Sequence, residues 1–383
     1  MIYLDYNATA PTDPRVVEAM LPYFYDISAN PSSVHSAGHR AREAVENARA
    51  ELARLLGTRT DEIYFTSGGT EADNIAIKGT AFAQSRRKKI VISAIEHHAV
   101  LTTCEYMQKF GYVLVKVPVD EYGIIDLDFL ESQVDDNTLL VSIMHANNEV
   151  GTIEPVKEIS RIAHKHGAVF HTDAVQTVGK MPIDLNVMEI DMLSLSGHKF
   201  CGPKGIGALV VRKGVRFDAL NHGGHHEGKK RAGTENVPGI VGLGKACVIA
   251  MQEMAAEENR MKMLRDRLWS GISEKILELK LNGHPEQRLA NTLNFSVRYI
   301  EGESMLLQLD MKGICASSGS ACTSGSLEAS HVLLAMGLPH ELAHGSLRFS
   351  MGRFNIGSEI ERVIEVFPDI VQKLRAMSPL YKH

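Results

Sequence analysis

With 383 residues, 44% hydrophobic and 23% charged, the chain has ordinary globular composition and is too long for one small core, which points to two domains. A formal net charge of −5 and a pI near 6.4 remove the electrostatic case for nucleic acid. No stretch approaches the roughly 18 apolar residues of a membrane span and residues 1–5 are no signal peptide. The five scattered cysteines, without a C-x-x-C, argue for reduced thiols in a cytoplasmic compartment.

Residues 3–11 read as a short strand running into a turn, followed by a helix over 14–25. The polar run 30–38 (Asn-Pro-Ser-Ser-Val-His-Ser-Ala-Gly) is a loop of the kind that lines sites. Ala41, Val45, Ala48, Leu52, Leu55 and Leu56 recur at helical spacing, and Gly57 closes that helix. Glu-Ile-Tyr-Phe-Thr-Ser-Gly-Gly-Thr-Glu-Ala at 62–72 reads as strand, glycine turn, helix. Such a turn leaves backbone N–H groups and the positive end of a helix dipole facing outward, with the hydroxyls of Ser67 and Thr70 as added donors. It has the form of a phosphate cradle without the G-K-[ST] ending of a Walker loop; an ordinary capped helix start reads the same way.

Arg86-Arg87-Lys88-Lys89 is a solvated turn before a strand. Strands at 90–95, 113–117, 139–144, 168–171 and 190–195 then alternate with helices at 99–110, 127–134 and 156–166. Repeated βα units predict an α/β fold with a mostly parallel sheet covered by helices on both faces. Ligands of such sheets sit at the C-terminal ends of strands, and the unusual residues lie there. Glu96, His97 and His98 follow one strand; His145, Asn147, Asn148 and Glu149 follow another; Asp173 and Gln176 follow a third. Lys199 follows a fourth, in Ser-Gly-His-Lys-Phe-Cys-Gly-Pro-Lys-Gly at 196–205, ahead of a strand over 205–211. An amine at a strand mouth in a glycine-rich bend can be desolvated and offered to a carbonyl, as a Schiff-base lysine requires. Taken alone it reads more readily as a solvated loop lysine.

The run 221–228 holds His222, His225, His226 and Glu227 but is broken by glycines and lacks the i,i+4 spacing of a helical metal site, so it reads as a loop. An amphipathic helix over 254–281 follows, with Met261, Leu264, Leu268, Ile272, Ile276 and Leu279 on one stripe. It marks the domain boundary: 16–255 form a large domain, and 1–15 with 256–383 a smaller α+β domain. That domain comprises a strand over 291–300, a helix over 303–311, a strand over 314–316, the Ser/Gly/Thr run 317–326 with Cys322, a helix near 331–336 and a strand over 347–351. A last helix starts at 358, and Pro368 should kink or split it.

A Schiff-base lysine, a phosphate cradle and an aspartate for a pyridinium nitrogen together specify pyridoxal phosphate. Lys199 would bind the cofactor and move protons, Gly69 and Thr70 would hold phosphate with Ser196 and His198, and Asp173 would keep the ring nitrogen protonated. His97 would lie over the ring face, Gln176 would reach the ring hydroxyl and Asn148 would bound the ring. A helix end contributes only about 0.3–2 kcal/mol toward an anion, so the covalent bond and the ring ion pair have to carry the cofactor. Cys322 lies in a run with almost no core-forming residue. It is expected as an exposed thiol on a mobile arm, a nucleophile that visits a cofactor and then faces a partner.

These residues resemble the cysteine desulfurases of the NifS/IscS kind, fold-type-I pyridoxal-phosphate enzymes of the class-V aminotransferase superfamily. The similarity runs along nearly the whole chain. It is carried by Thr-Ser-Gly-Gly-Thr-Glu at 66–71, Glu-His-His-Ala-Val at 96–100, Met-His-Ala-Asn-Asn-Glu at 144–149, Asp-Ala-Val-Gln at 173–176, Ser-Gly-His-Lys at 196–199 and Ser-Ser-Gly-Ser-Ala-Cys at 317–322. The resemblance implies a seven-stranded-type sheet, Lys199 as the cofactor lysine, His97 as an acid/base, and Cys322 as the residue that takes sulfur from L-cysteine as a persulfide. It implies that Arg348 grips the substrate carboxylate with a fork suited to it, assisted by Asn30 and Asn148. Thr234 would reach the cofactor phosphate of a second subunit in a homodimer. The long Ser/Gly cysteine loop resembles members that feed an IscU-type iron–sulfur scaffold protein, where Cys322 could also be a transient ligand of a shared [2Fe-2S] cluster. A selenocysteine lyase, an aminotransferase or a non-catalytic docking subunit on the same fold are the alternatives.

Overall fold

The computed structural model describes residues 1–84, 86–318 and 329–381, so Cys322 lies outside the described residues. β1 (Ile2–Tyr3) pairs away from the main sheet. That sheet is built from β2 (Ile63–Thr66), β3 (Lys89–Ser93), β4 (Val113–Val117), β5 (Thr138–Ser142), β6 (Val169–Asp173), β7 (Met192–Ser196) and β8 (Gly207–Val211). Its strand order is β2-β8-β7-β6-β5-β3-β4; β3 to β7 run parallel, and β8 is antiparallel to both of its neighbours. The mostly parallel seven-stranded sheet expected from the alternating pattern is therefore present. Every residue of β5, β7 and β8 is buried, because helices cover both faces and leave no solvated side. The order reverses at β3, which has β4 on one side and β5 on the other, and this opens a crevice at the strand C-termini.

Helices Ser36–Leu56 and Val237–Ser273 share the large core through Val45, Leu52, Ile240 and Leu243. Gly244 allows their close approach, since a Cβ there would lie 2.7 Å from Ala48 Cα. The helix expected over 14–25 is instead two, Pro14–Met20 and Pro22–Tyr25. Pro22 offers no N–H to continue the first and starts the second.

The helix expected over 254–281 begins much earlier and ends sooner, at Val237–Ser273. Asn236 caps its start by accepting from Gly239 N–H. Beyond its end, Ile276 and Leu279 prolong the apolar stripe from a turn and from β9 (Leu279–Asn282), where both face the small core. Contrary to the sequence expectation, this helix is long and apolar enough for a membrane span, but half of its apolar window is buried inside the protein. Its first half, to Ala250, belongs to the large core, and its second half, from Met261, to the small one.

The small core lies under β10 (Thr292–Val297), which pairs antiparallel with β9 and with β12 (Ser346–Ser350), while β11 (Ile314–Cys315) pairs with β1. Phe295, Phe349 and Phe367 meet at its centre, and Leu4 from the N-terminus joins them. Pro368 sits inside the uninterrupted helix Gly357–Met377 rather than splitting it. The Ile364 carbonyl, which proline leaves without its helical donor, accepts from Lys275 Nζ at 3.2 Å.

Candidate active site

β7 ends at Ser196 and passes into a tight turn, Gly197–Phe200, that carries Lys199. The turn after β2 lies directly against the neighbouring strand: a Cβ on Gly207 would meet Gly68 Cα at 2.7 Å. This contact sets Gly69 and Thr70 at the start of helix Gly69–Asn74 beside Ser196. Their N–H groups open that helix and so have no intrahelical acceptor. Thr70 is exposed, whereas Ser196 is buried. The N-terminal turn covers the lysine. Lys199 Nζ donates to the carbonyls of Asn7 (2.7 Å) and Ala8 (2.8 Å), and His198 Nδ1 lies 3.0 Å from Thr9 Oγ1.

Asp173 ends β6 and its Oδ1 accepts from Val175 N–H at 2.9 Å. Burial pushes its carboxyl up to about 6, against the Val175 donor and the Lys199 charge that pull it down. Asp73, 1% exposed on the helix behind, is raised well above the carboxylate range by burial and then by the Asp173 charge. The proton therefore rests on Asp73, and Asp173 is the member of the pair that ionises. His171 spans this layer, with Nδ1 2.8 Å from Ser142 Oγ and Nε2 2.9 Å from Ser194 Oγ. Burial lowers its pKa to about 3, so it is a neutral strut tying β5, β6 and β7.

His97 follows β3 at the crevice and caps helix His98–Met107, its Nδ1 accepting from Ala99 N–H at 3.1 Å. That bond places the ring proton on Nε2. Burial first, then the Lys199 charge, lower its pKa to about 4, so the ring is neutral at pH 7.

Asn7, 2% exposed, joins the two domains. Its Nδ2 donates to Asn148 O (3.1 Å) and Thr292 Oγ1 (2.8 Å), while its carbonyl accepts from Lys199 and from Gln176 Nε2 (2.9 Å). Arg348 on β12 donates to Asn148 O (3.0 Å) and pairs with Asp5 (2.7 Å), and its buried Nε has no hydrogen-bond partner among the described residues. Both flanks of the Cys322 segment end on this assembly. Ser317 exchanges backbone hydrogen bonds with Arg348 (3.1 and 2.6 Å); Ser330 Oγ donates to Glu149 (2.5 Å); His331 Nε2 lies 3.0 Å from the Glu96 carbonyl.

Among the described residues, then, Lys199, Gly69, Thr70, Ser196, His198, Asp173, Gln176, His97, Asn148 and Arg348 lie around one set of strand ends. Asn30 and Thr234 are exposed and, among the described residues, make no hydrogen bond to that network; Asn30 turns its Oδ1 back to Ser32 N–H at 2.8 Å. Sequence reasoning missed the parts played by Asp5, Asn7 and Asp73. Only the polar cluster at 5–9 hinted at the first two, since Asp73 looks like an ordinary helix residue. In the histidine-rich loop, Glu227 is committed to structure: its carboxylate takes two Arg49 bonds at 2.8 Å and the Phe65 N–H.

The class-V aminotransferase family matches residues 2–363. A cysteine desulfurase IscS of Methanosarcina thermophila is 56% identical over 380 residues, 99% of this chain and 94% of that protein. Another, from Dictyoglomus turgidum, is 50% identical over 379 residues, 99% of this chain and 96% of its own length. Among solved structures, a NifS-like protein superposes with a TM-score of 0.92 at 40% identity, covering 97% of this chain and all (100%) of that one. The chain belongs to the class-V aminotransferase family of fold-type-I pyridoxal-phosphate enzymes. Within that family it is a pyridoxal-phosphate-dependent cysteine desulfurase, with an iron–sulfur assembly context.

The residues present fit that cofactor. Asp173 is a buried carboxylate with a backbone donor on Oδ1, beside a neighbour that keeps its own proton. Lys199 extends from the adjacent strand end. In the turn after β2, Gly69 has no room for a side chain: a Cβ there would lie 2.6 Å from Val175 Cγ2. The Gly69 and Thr70 N–H groups, at the start of the helix, are left for an anion.

Proposed function

We propose that this cysteine desulfurase takes sulfur from L-cysteine onto Cys322 as a persulfide and delivers it to an IscU-type iron–sulfur scaffold protein. The observation that carries the reading is the anchoring of both flanks of the Cys322 segment, at Ser317–Arg348 and at Ser330–Glu149, on the residues around Lys199. Gly69, Thr70, Ser196 and His198 hold the cofactor's phosphate end, while Asp173, Gln176, His97 and Asn148 hold its ring. Pyridoxal phosphate, when bound there, supplies the electron sink that lowers the cost of a carbanion at the substrate α-carbon.

Lys199 Nζ removes and returns the α-proton. Asp173 remains the ionised carboxylate at the ring nitrogen because Asp73 keeps the proton. His97 holds a proton at Nε2 for the thiol steps. Arg348 receives the substrate carboxylate, its fork aimed by Asp5 and Asn148 O; Asn148 and Asn30 assist in holding the substrate. The Cys322 thiolate attacks the substrate sulfur. The S–S bond forms as the Cβ–S bond breaks, the electron pair stays on carbon and takes up a proton, and L-alanine leaves. Thr234, exposed on its loop, reaches the cofactor phosphate of a second copy in a homodimer. The cytoplasm suits the described cysteines Cys104, Cys201, Cys247 and Cys315, which are all free thiols.

The test is Cys322→Ser. The variant is expected to keep the visible absorption of the bound cofactor and its change on adding L-cysteine, and to lose sulfide release and persulfide transfer to the scaffold. Undiminished sulfide and alanine production by the variant would overturn the persulfide step.

A further inference from the structure

Lys180 takes no part in the chemistry above, yet its amine is turned into the site. It follows Gln176 by four residues, and its Nζ donates to Gln176 Oε1 at 2.9 Å and faces Asn7 Oδ1 at 3.4 Å. Among the described residues no carboxylate pairs with it. The titratable and charged groups that act on it are Lys199 and Arg348, which oppose its charge, and Cys201, which favours it. Burial pushes its pKa down to about 7. A partly buried amine with no counter-ion among the described residues costs stability, and an apolar side chain of similar length would avoid that cost. Such a group is explained by the polar contacts it makes.

Those contacts carry information. A glutamine amide can present either its oxygen or its nitrogen, but a lysine ammonium has donors only. Lys180 therefore fixes Oε1 of Gln176 toward itself and leaves Nε2 as the end that faces the site. Gln176 Nε2 and Lys199 Nζ meet on the same carbonyl, that of Asn7, at 2.9 and 2.7 Å. The orientation of Gln176 is thus set by Lys180 and is coupled to the cofactor lysine through Asn7.

Building on the cofactor site assigned above, we propose that Lys180 is a positioning residue that fixes Gln176 as a hydrogen-bond donor to the ring oxygen of bound pyridoxal phosphate. A donor and a cation near that oxygen favour its charged form and disfavour a proton on the nitrogen linking the cofactor to Lys199. Losing both must raise the affinity of that nitrogen for its proton.

The holoenzyme's visible absorption, titrated against pH, reads this directly, alongside thermal unfolding of each variant. In Lys180→Met the midpoint of the titration is expected to move upward by about one pH unit, and Lys180→Arg is expected to restore it. Lys180→Gln, which can turn either end of its amide to Gln176, is expected to shift the midpoint the same way and serves if the methionine variant does not fold. An unchanged midpoint with only a lowered Tm would overturn the proposal and leave Lys180 a packing residue. A wild type that shows no visible band after reconstitution would instead overturn the cofactor site itself, and the proposal with it.

Discussion

The large and small domains deliver their residues to the site by different means. Asp173 and Ser196 end β6 and β7, hydrogen-bonded neighbours of one sheet, and Lys199 stands three residues beyond Ser196. Their spacing follows from register, and the His171 strut beneath them braces the same strands. Arg348 comes from a separate antiparallel sheet and reaches the site through Asp5, the Asn148 carbonyl and the buried Asn7. On the function proposed above, cofactor geometry is thus a property of a ladder, whereas substrate geometry depends on a few side chains that tie two domains. Changes to the tie should separate the two.

The largest effect is expected at Asn7. Asn7→Ala removes the bonds to Asn148 O and Thr292 Oγ1 and the acceptor for Asn291 Nδ2, at a cost of about 2–4 kcal/mol. Urea unfolding of the holoenzyme measures it, and a loss below about 1 kcal/mol would mean that the domains are held together elsewhere. Next is Arg348→Lys, which keeps a positive charge and loses the fork. The expected result is a rise of about tenfold in KM for L-cysteine, with the visible band of the cofactor unmoved. A displaced band would show that the two halves of the site are not separable.

The smallest effect belongs to Glu154, a buried carboxyl of the large domain whose Oε2 accepts from Ile125 N–H at 3.0 Å, outside the network around Lys199. Burial raises its pKa to about 8, so the folded state binds this proton more tightly than the unfolded chain does. The stability it contributes is complete below the unfolded carboxylate value and is lost as pH rises toward 8. Glu154→Gln keeps an acceptor for Ile125 and removes the titration. Over pH 4.5 to 8 its Tm is expected to fall by a few degrees less than that of the wild type. Parallel curves would show that this carboxyl is not held protonated.

Much of this protein could be read in one dimension because its chemistry sits on local patterns. The βα alternation foretold a mostly parallel sheet, since strands buried on both faces read as short, largely apolar runs between helices. The polar residues that interrupt the pattern at strand ends, His97, Asp173 and Lys199, marked the crevice. Helix ends were less legible. Ile276 and Leu279 continue an apolar stripe whether the chain is helical or extended, so periodicity alone carried the helix past Ser273. Pro368 reads as a break until Lys275, nearly a hundred residues earlier, satisfies the carbonyl it orphans.

The sequence by itself determined which residues can do the chemistry: an amine, a carboxylate, a cradle of glycines and a thiol, each legible from residue type and local spacing. Only the tertiary structure decided their states and partners. That Asp73 rather than Asp173 keeps the proton depends on burial and on a second carboxylate brought from another element. That Asn7 collects Lys199, Gln176 and Asn148 depends on an N-terminal turn closing over strand ends far along the chain. Desolvation and long-range hydrogen bonds arise only when the chain is packed, so no local pattern encodes them.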